Sequence, residues 1–159
     1  MALDEEDIQR LGRCVELARA ALEAGDEPFG SILVDADGAV LFEDHNHVAR
    51  GDATAHPELA IAQWSVIHLS PEQRARSTVY TSGEHCPMCA AAHAWVGLGR
   101  IVFAVSGSQL AQWLTGWEVP LPPVAALPIT TVAPQLTVDG PAREYRDEML
   151  ALYAAKFRP

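Results

Sequence analysis

Three cysteines, an odd number, are too few for a disulfide framework in a chain of 159 residues, and the close pair in Cys86-Pro-Met-Cys89 points instead to metal binding or redox chemistry. Positive charge is scarce as well: 11 Lys and Arg against 21 Asp and Glu leave a formal net charge of −10. Nucleic-acid affinity rests largely on cations that neutralise phosphates, so a large nucleic-acid substrate is disfavoured. No apolar run approaches the ~20 residues that a membrane span needs. The start, Met-Ala-Leu-Asp-Glu-Glu-Asp, is acidic where an export signal would be basic and then apolar. A cytoplasmic location without membrane association is the expectation. Internal repeats and low-complexity tracts are missing too, which excludes repeat arrays and leaves one domain over residues 1–159 as the expected organisation.

What is present is an ordinary globular composition, 49% hydrophobic and 20% charged, set in periodic segments. Ile8, Leu11, Val15, Ala18 and Leu22 recur at helical spacing between an acidic start and Gly25. Residues 31–34 and 40–42 are short β-prone runs joined by a turn at Asp35-Ala-Asp-Gly38, which predicts an antiparallel pair. A helix over 57–69 starts at Pro57, a strand covers 77–81, a second proline-led helix covers 87–97 and another strand covers 101–105. A short helix is expected over 109–114, then a proline-rich loop, a short strand near 129–132 and a C-terminal helix carrying Tyr145, Met149, Leu152 and Tyr153 on one face. Strands alternating with helices imply an α/β sandwich with parallel crossovers.

The chemistry concentrates in His56-Pro-Glu58 and the cysteine pair. One imidazole and two thiolates, His56, Cys86 and Cys89, suit Zn²⁺. Both halves sit at predicted helix N-termini, where the helix dipole favours thiolate over thiol. Three protein ligands leave a fourth tetrahedral position for water, whose pKa zinc lowers to about 7. Glu58, two residues past the histidine, is placed to take that water's proton without binding the metal. A purely structural zinc site needs a fourth protein ligand, and His85 is tethered too tightly to Cys86 to serve. A redox cysteine pair leaves His56-Pro-Glu58 without a purpose.

These residues, together with Pro28-Phe-Gly30, Asn46 and the stretches 52–58 and 81–89, resemble the cytidine deaminase superfamily, in particular its guanine deaminase and tRNA adenosine deaminase branch, with its H-x-E and P-C-x-x-C signature. The resemblance implies a three-layer α/β/α sandwich around a mixed five-stranded sheet, a zinc cofactor and a homodimer. It also implies hydrolytic loss of an exocyclic amino group, with Glu58 carrying both proton transfers. Asn46 is expected to hydrogen-bond the base, with Phe29 and Trp95 lining its faces. Gly116-Trp117-Glu118 resembles a guanine deaminase stretch, which gives Glu118 a part in reading the base. Folding of the C-terminal segment over the site would make Glu144, Tyr153 and Phe157 a lid.

Two positions depart from the pattern. Pro57 stands where Ala or Gly is usual and has no N–H to offer a substrate oxygen. His85 stands where proline is usual and brings a group able to bond a substrate. The leading expectation is deamination of a small free base, guanine first, with cytosine, its analogues and amino-triazines behind it. Deamination of tRNA adenosine shares every catalytic residue and ranks second because of the acidity. A non-catalytic zinc-stabilised binding module ranks third, against which Glu58 argues. Cys14, His68 and His93 are read as packing residues and His45 and His47 as surface groups at a strand end.

Overall fold

The computed structural model describes residues 2–159. Helix α1 (Glu5–Glu23) leads into strands β1 (Gly30–Val34) and β2 (Val40–His45), followed by α2 (Pro57–His68), the single-turn α3 (Pro71–Ala75), β3 (Thr78–Gly83), α4 (Pro87–Trp95), β4 (Arg100–Val105) and α5 (Gly107–Gly116). The chain closes through α6 (Ile129–Val132), β5 (Val138–Asp139) and α7 (Arg146–Phe157). Asp4 opens α1 with a capping box, its carboxylate accepting the Asp7 N–H. Prolines at the first turn open α2 and α4, where the missing N–H is no loss.

The strands form one mixed sheet in the order β2-β1-β3-β4-β5. β1 runs antiparallel to both β2 and β3, whereas β3–β4 and β4–β5 are parallel. Side chains alternate across it with period two. Ile32, Val34, Tyr80, Val102 and Ala104 pack against α1. Leu33 and Val79 face α2, and Ile101 and Phe103 meet Ala90 of α4. Three layers result, α1 and α7 on one side and α2 and α4 on the other, and the central strands are buried on both faces as parallel sheets require. Gly30 allows the close approach of β1 to α1, since a Cβ there would lie 2.4 Å from that of Leu17.

One expected element changes type. Residues 129–132, β-branched and expected as a strand, form the short helix α6. Pro128 opens it and the Ile129 N–H is held by Glu84 at 3.0 Å, so local tethering outweighs β-propensity. The fifth strand is instead Val138–Asp139, where Asp139 accepts from Arg100 at 2.7 Å. No helix among the described residues is long and apolar enough to cross a membrane.

Candidate active site

The two proline-led helices on the same side of the sheet start side by side. His56 is the N-cap of α2 and Cys86 that of α4, with Cys89 one turn into α4. The Sγ atoms of Cys86 and Cys89 lie 3.5 and 3.6 Å from His56 Nδ1. Metal bonds of about 2.3 Å to sulfur and about 2.05 Å to nitrogen, at tetrahedral angles, set an N···S edge of about 3.6 Å. Both N···S edges therefore match those of a tetrahedral ion, and all three donor atoms lie within 4.8 Å of one another. The bond to Cys86 raises His56 to about 9, and the bond from Cys89 lowers Cys86 to about 4. Cys89, bonded to that thiolate and buried, is pushed far up.

Glu58, in the first turn of α2, is only 5% exposed. Its Oε1 meets Thr81 Oγ1 at 2.9 Å and Ser31 Oγ at 3.3 Å, and the two hydroxyls are 2.9 Å apart. Ser31 and Thr81 are cross-strand partners in β1 and β3, so the sheet itself carries this clamp. Each hydroxyl has a single proton. With Ser31 donating to Thr81, the Thr81 proton has two acceptors at 2.9 Å, the Glu58 carboxylate and the Gly83 carbonyl, and the charged carboxylate is the stronger, so that bond fixes its rotamer. Burial raises the Glu58 pKa, and the opposing effects of His56 and the Thr81 bond do not cancel it.

Around this centre the expected residues divide. Asn46 is buried, its side-chain carbonyl accepting the N–H groups of Glu27 at 3.3 Å and Val48 at 3.0 Å, which leaves its NH₂ as the donor for a ligand. Phe29 and Tyr153 pack together with ring centroids 5.5 Å apart, and the Tyr153 hydroxyl lies 2.9 Å from where a Gly83 side chain would begin. Tyr153 is fully buried, and its hydroxyl has no hydrogen-bond partner among the described residues. Phe157 packs on it from the next turn of α7. His85 is buried edge-on to His93 at 5.4 Å, and both its nitrogens lack partners among the described residues. Burial, then His93, pushes its pKa well down, so the ring is neutral.

Trp95, Glu118 and Glu144 stand apart. Trp95 is 88% exposed at the end of α4; its place nine residues past Cys86 puts it about 13 Å along the helix at 1.5 Å per residue. Glu118 is exposed, with φ of 58° just past the end of α5. Glu144 is exposed in the turn before α7. Both carboxylates face solvent. Sequence reasoning missed the clamp of Ser31 and Thr81, and also Glu27, a half-buried carboxyl raised by burial and lowered in part by His56. Hydroxyl residues within otherwise apolar buried strands were the available signal.

Comparison with known proteins agrees with this geometry. Residues 4–105 match the family model described as the cytidine and deoxycytidylate deaminase zinc-binding region. The chain is 31% identical over 144 residues to a probable cytosine deaminase of Schizosaccharomyces pombe, covering 84% of this chain and 87% of that protein. It is 35% identical over 104 residues to a guanine deaminase of Bacillus subtilis, 64% of this chain and 66% of that one. A solved guanine deaminase from Bacillus subtilis superposes with a TM-score of 0.59 at 27% identity, over 83% of this chain and 91% of the other. A tRNA-specific adenosine deaminase of Haemophilus influenzae is 31% identical over 103 residues, 64% of this chain and 60% of its own length.

Proposed function

The chain belongs to the cytidine and deoxycytidylate deaminase family of zinc-dependent hydrolytic deaminases, and from that premise we propose that residues 1–159 form one domain that deaminates a free nucleobase, guanine first and cytosine second. One observation carries the catalytic part: a single buried carboxylate, Glu58, held rigidly beside a three-donor metal set. In this reading His56, Cys86 and Cys89 hold the zinc. When bound, zinc supplies the Lewis acidity that makes water a nucleophile near neutral pH. Glu58 would take one proton from that water and hand it to the ring nitrogen beside the reacting carbon. It would then take the second proton from the water-derived hydroxyl now on that carbon and pass it to the amine, which leaves as ammonia while the C=O bond forms. The bond from Thr81 keeps the carboxylate aimed through both transfers. The Asn46 NH₂ donates to an acceptor on the base, and Phe29 and Tyr153 form an apolar wall that excludes water from the reacting carbon.

Two features favour a small base over RNA. The chain's net charge of −10 repels a phosphate backbone. Tyr153 of α7 closes the wall beside Gly83, where a larger substrate would need room. The relatives named for guanine and for cytosine support the substrate class. Pro57, which offers no N–H, removes one donor to a base carbonyl, a group that guanine and cytosine both carry. Self-association belongs to the same reading: Trp95 at 88%, Ile67 at 77% and Val66 at 52% exposure lie near the C-terminal ends of the neighbouring helices α4 and α2, apolar surface that a second copy would cover.

The test is ammonia release with guanine, cytosine, adenine, amino-triazines and an adenosine-containing anticodon stem-loop at matched concentrations. Turnover of a free base with silence on the stem-loop supports the proposal. Turnover of the stem-loop alone replaces it with tRNA adenosine deamination.

A further inference from the structure

The proposed reaction leaves one group of metal-binding side chains unused. Asp26, His45 and His47 each offer one ligand atom, and those atoms lie within 4.8 Å of one another. Asp26, in the turn between α1 and β1, is 5% exposed, while the histidines at the end of β2 are half-buried with ring centroids 4.4 Å apart. No hydrogen bond joins the three side chains to one another among the described residues, so mutual hydrogen bonding does not explain their approach. Each imidazole has one nitrogen already fixed. His45 Nδ1–H donates to the Asn46 carbonyl at 2.7 Å, and His47 Nε2–H donates to Asp44 Oδ1 at 2.8 Å. Because carbonyl and carboxylate oxygens only accept, both tautomers are set, and His45 Nε2 and His47 Nδ1 keep their lone pairs. Asp26 Oδ1 accepts the Ala49 N–H at 2.9 Å, which leaves Oδ2 for a ligand.

Histidines that bind metals generally donate their other N–H to a carbonyl or carboxylate, which orients the ring and raises its basicity. Both of these rings already have that support. We propose that Asp26, His45 and His47 form a second divalent-metal site, separate from the thiolate site, with two imidazoles and one carboxylate as ligands. Nitrogen donors favour a first-row transition ion over Mg²⁺ or Ca²⁺, and three ligands leave coordination positions for water. The consequence falls on Asn46, which lies between the two histidines and whose side-chain carbonyl is held by Glu27 and Val48. An ion joining residue 26 to residues 45 and 47 ties together the two segments that position that side chain. The site thus stiffens the base-binding wall without touching the reacting atoms.

Zinc added to the full chain and counted by native mass spectrometry tests this. The wild type should take up two equivalents, Cys86→Ala with Cys89→Ala one, and His45→Gln with His47→Gln one. In the cysteine double variant, ¹¹³Cd NMR of the cadmium-loaded protein should show a resonance typical of nitrogen and oxygen ligands, not thiolates. Asp26→Asn should weaken the second equivalent at least tenfold, and it tests the site independently if the histidine double variant does not fold. Uptake of a single equivalent by the wild type, a second equivalent held as tightly by Asp26→Asn as by the wild type, or one that persists with both histidines replaced, overturns the site.

Discussion

Replacing Glu58 by Gln separates the proton shuttle from everything else the residue does. The amide keeps the oxygen that meets Thr81 and Ser31 at 2.9 and 3.3 Å, fills the same volume and leaves the metal donors untouched. It cannot accept the water's proton. A positioned general acid or base contributes roughly 10²–10⁴-fold, and one carboxylate here performs both transfers, so the upper end applies. We expect kcat to fall about 10⁴-fold, equivalent to about 5.4 kcal/mol at 1.36 kcal/mol per decade. KM should change little. The assay is ammonia release from the base that the wild type turns over, with zinc content measured on the same sample. Stability gives a second readout. Burial raises the folded-state pKa of Glu58, so its ionisation opposes folding and the penalty grows as pH rises past the unfolded-state value. The metal-free Gln variant should therefore melt higher than metal-free wild type at neutral pH, and the margin should shrink as pH falls below the folded-state pKa. Retention of a tenth or more of kcat with zinc still bound would refute the role given to this carboxylate.

The remaining predictions concern what surrounds it. Thr81→Val removes the hydroxyl that aims Glu58 and should lower kcat about tenfold at unchanged zinc content, the loss of about 1.4 kcal/mol expected for one buried hydrogen bond; restoration by Thr81→Ser would distinguish the bond from packing. Trp95→Glu should convert a dimer to a monomer in light scattering, and a wild type that is already monomeric would sink that surface's role. Arg100 bonds the buried Asp7 through two nitrogens at 2.8 and 2.9 Å, so Arg100→Ala should cost about 3 kcal/mol and roughly 10 °C in Tm. Burial pushes Asp7 up, but the bonds from Arg100 and Tyr80 outweigh it and hold the carboxyl low. Its contribution is present above the unfolded value of about 3.9 and is lost as pH falls through the lower folded value. The Arg100 variant should accordingly show a shallower loss of stability on acidification.

How much of the molecule is legible in its sequence varies with the kind of signal. The grouping of His56, Cys86 and Cys89 is, because His56-Pro-Glu58 and Cys86-Pro-Met-Cys89 each combine residues able to bind a metal with a helix-opening proline, and the structure starts α2 and α4 at those prolines. The sheet is legible through β4, since β1, β3 and β4 are buried β-prone runs and β2 follows β1 across a turn signal. Beyond Val105 the helices α5 and α7 are legible but the last strand is not: β5 spans only Val138–Asp139, too short for any alternation, and a buried aspartate paired with Arg100 does not read as strand. Trp95 shows a second limit, since periodicity places a residue on a helix but does not say how far along that helix the site extends. Tyr153 packs on Phe29 although it is remote in sequence, because α7 packs back on α1. The pairing of Ser31 with Thr81 depends on strand register, which no residue pattern in either strand reveals alone.

Hydrolytic deamination of a free base is put to its sharpest test by incubating the zinc-loaded protein with guanine, and separately with cytosine, in ¹⁸O-labelled water. One equivalent of ammonia per base consumed is expected, with a product carrying a single labelled oxygen in place of the amino group. Unchanged bases, or ammonia without the label in the product, would contradict the proposed reaction.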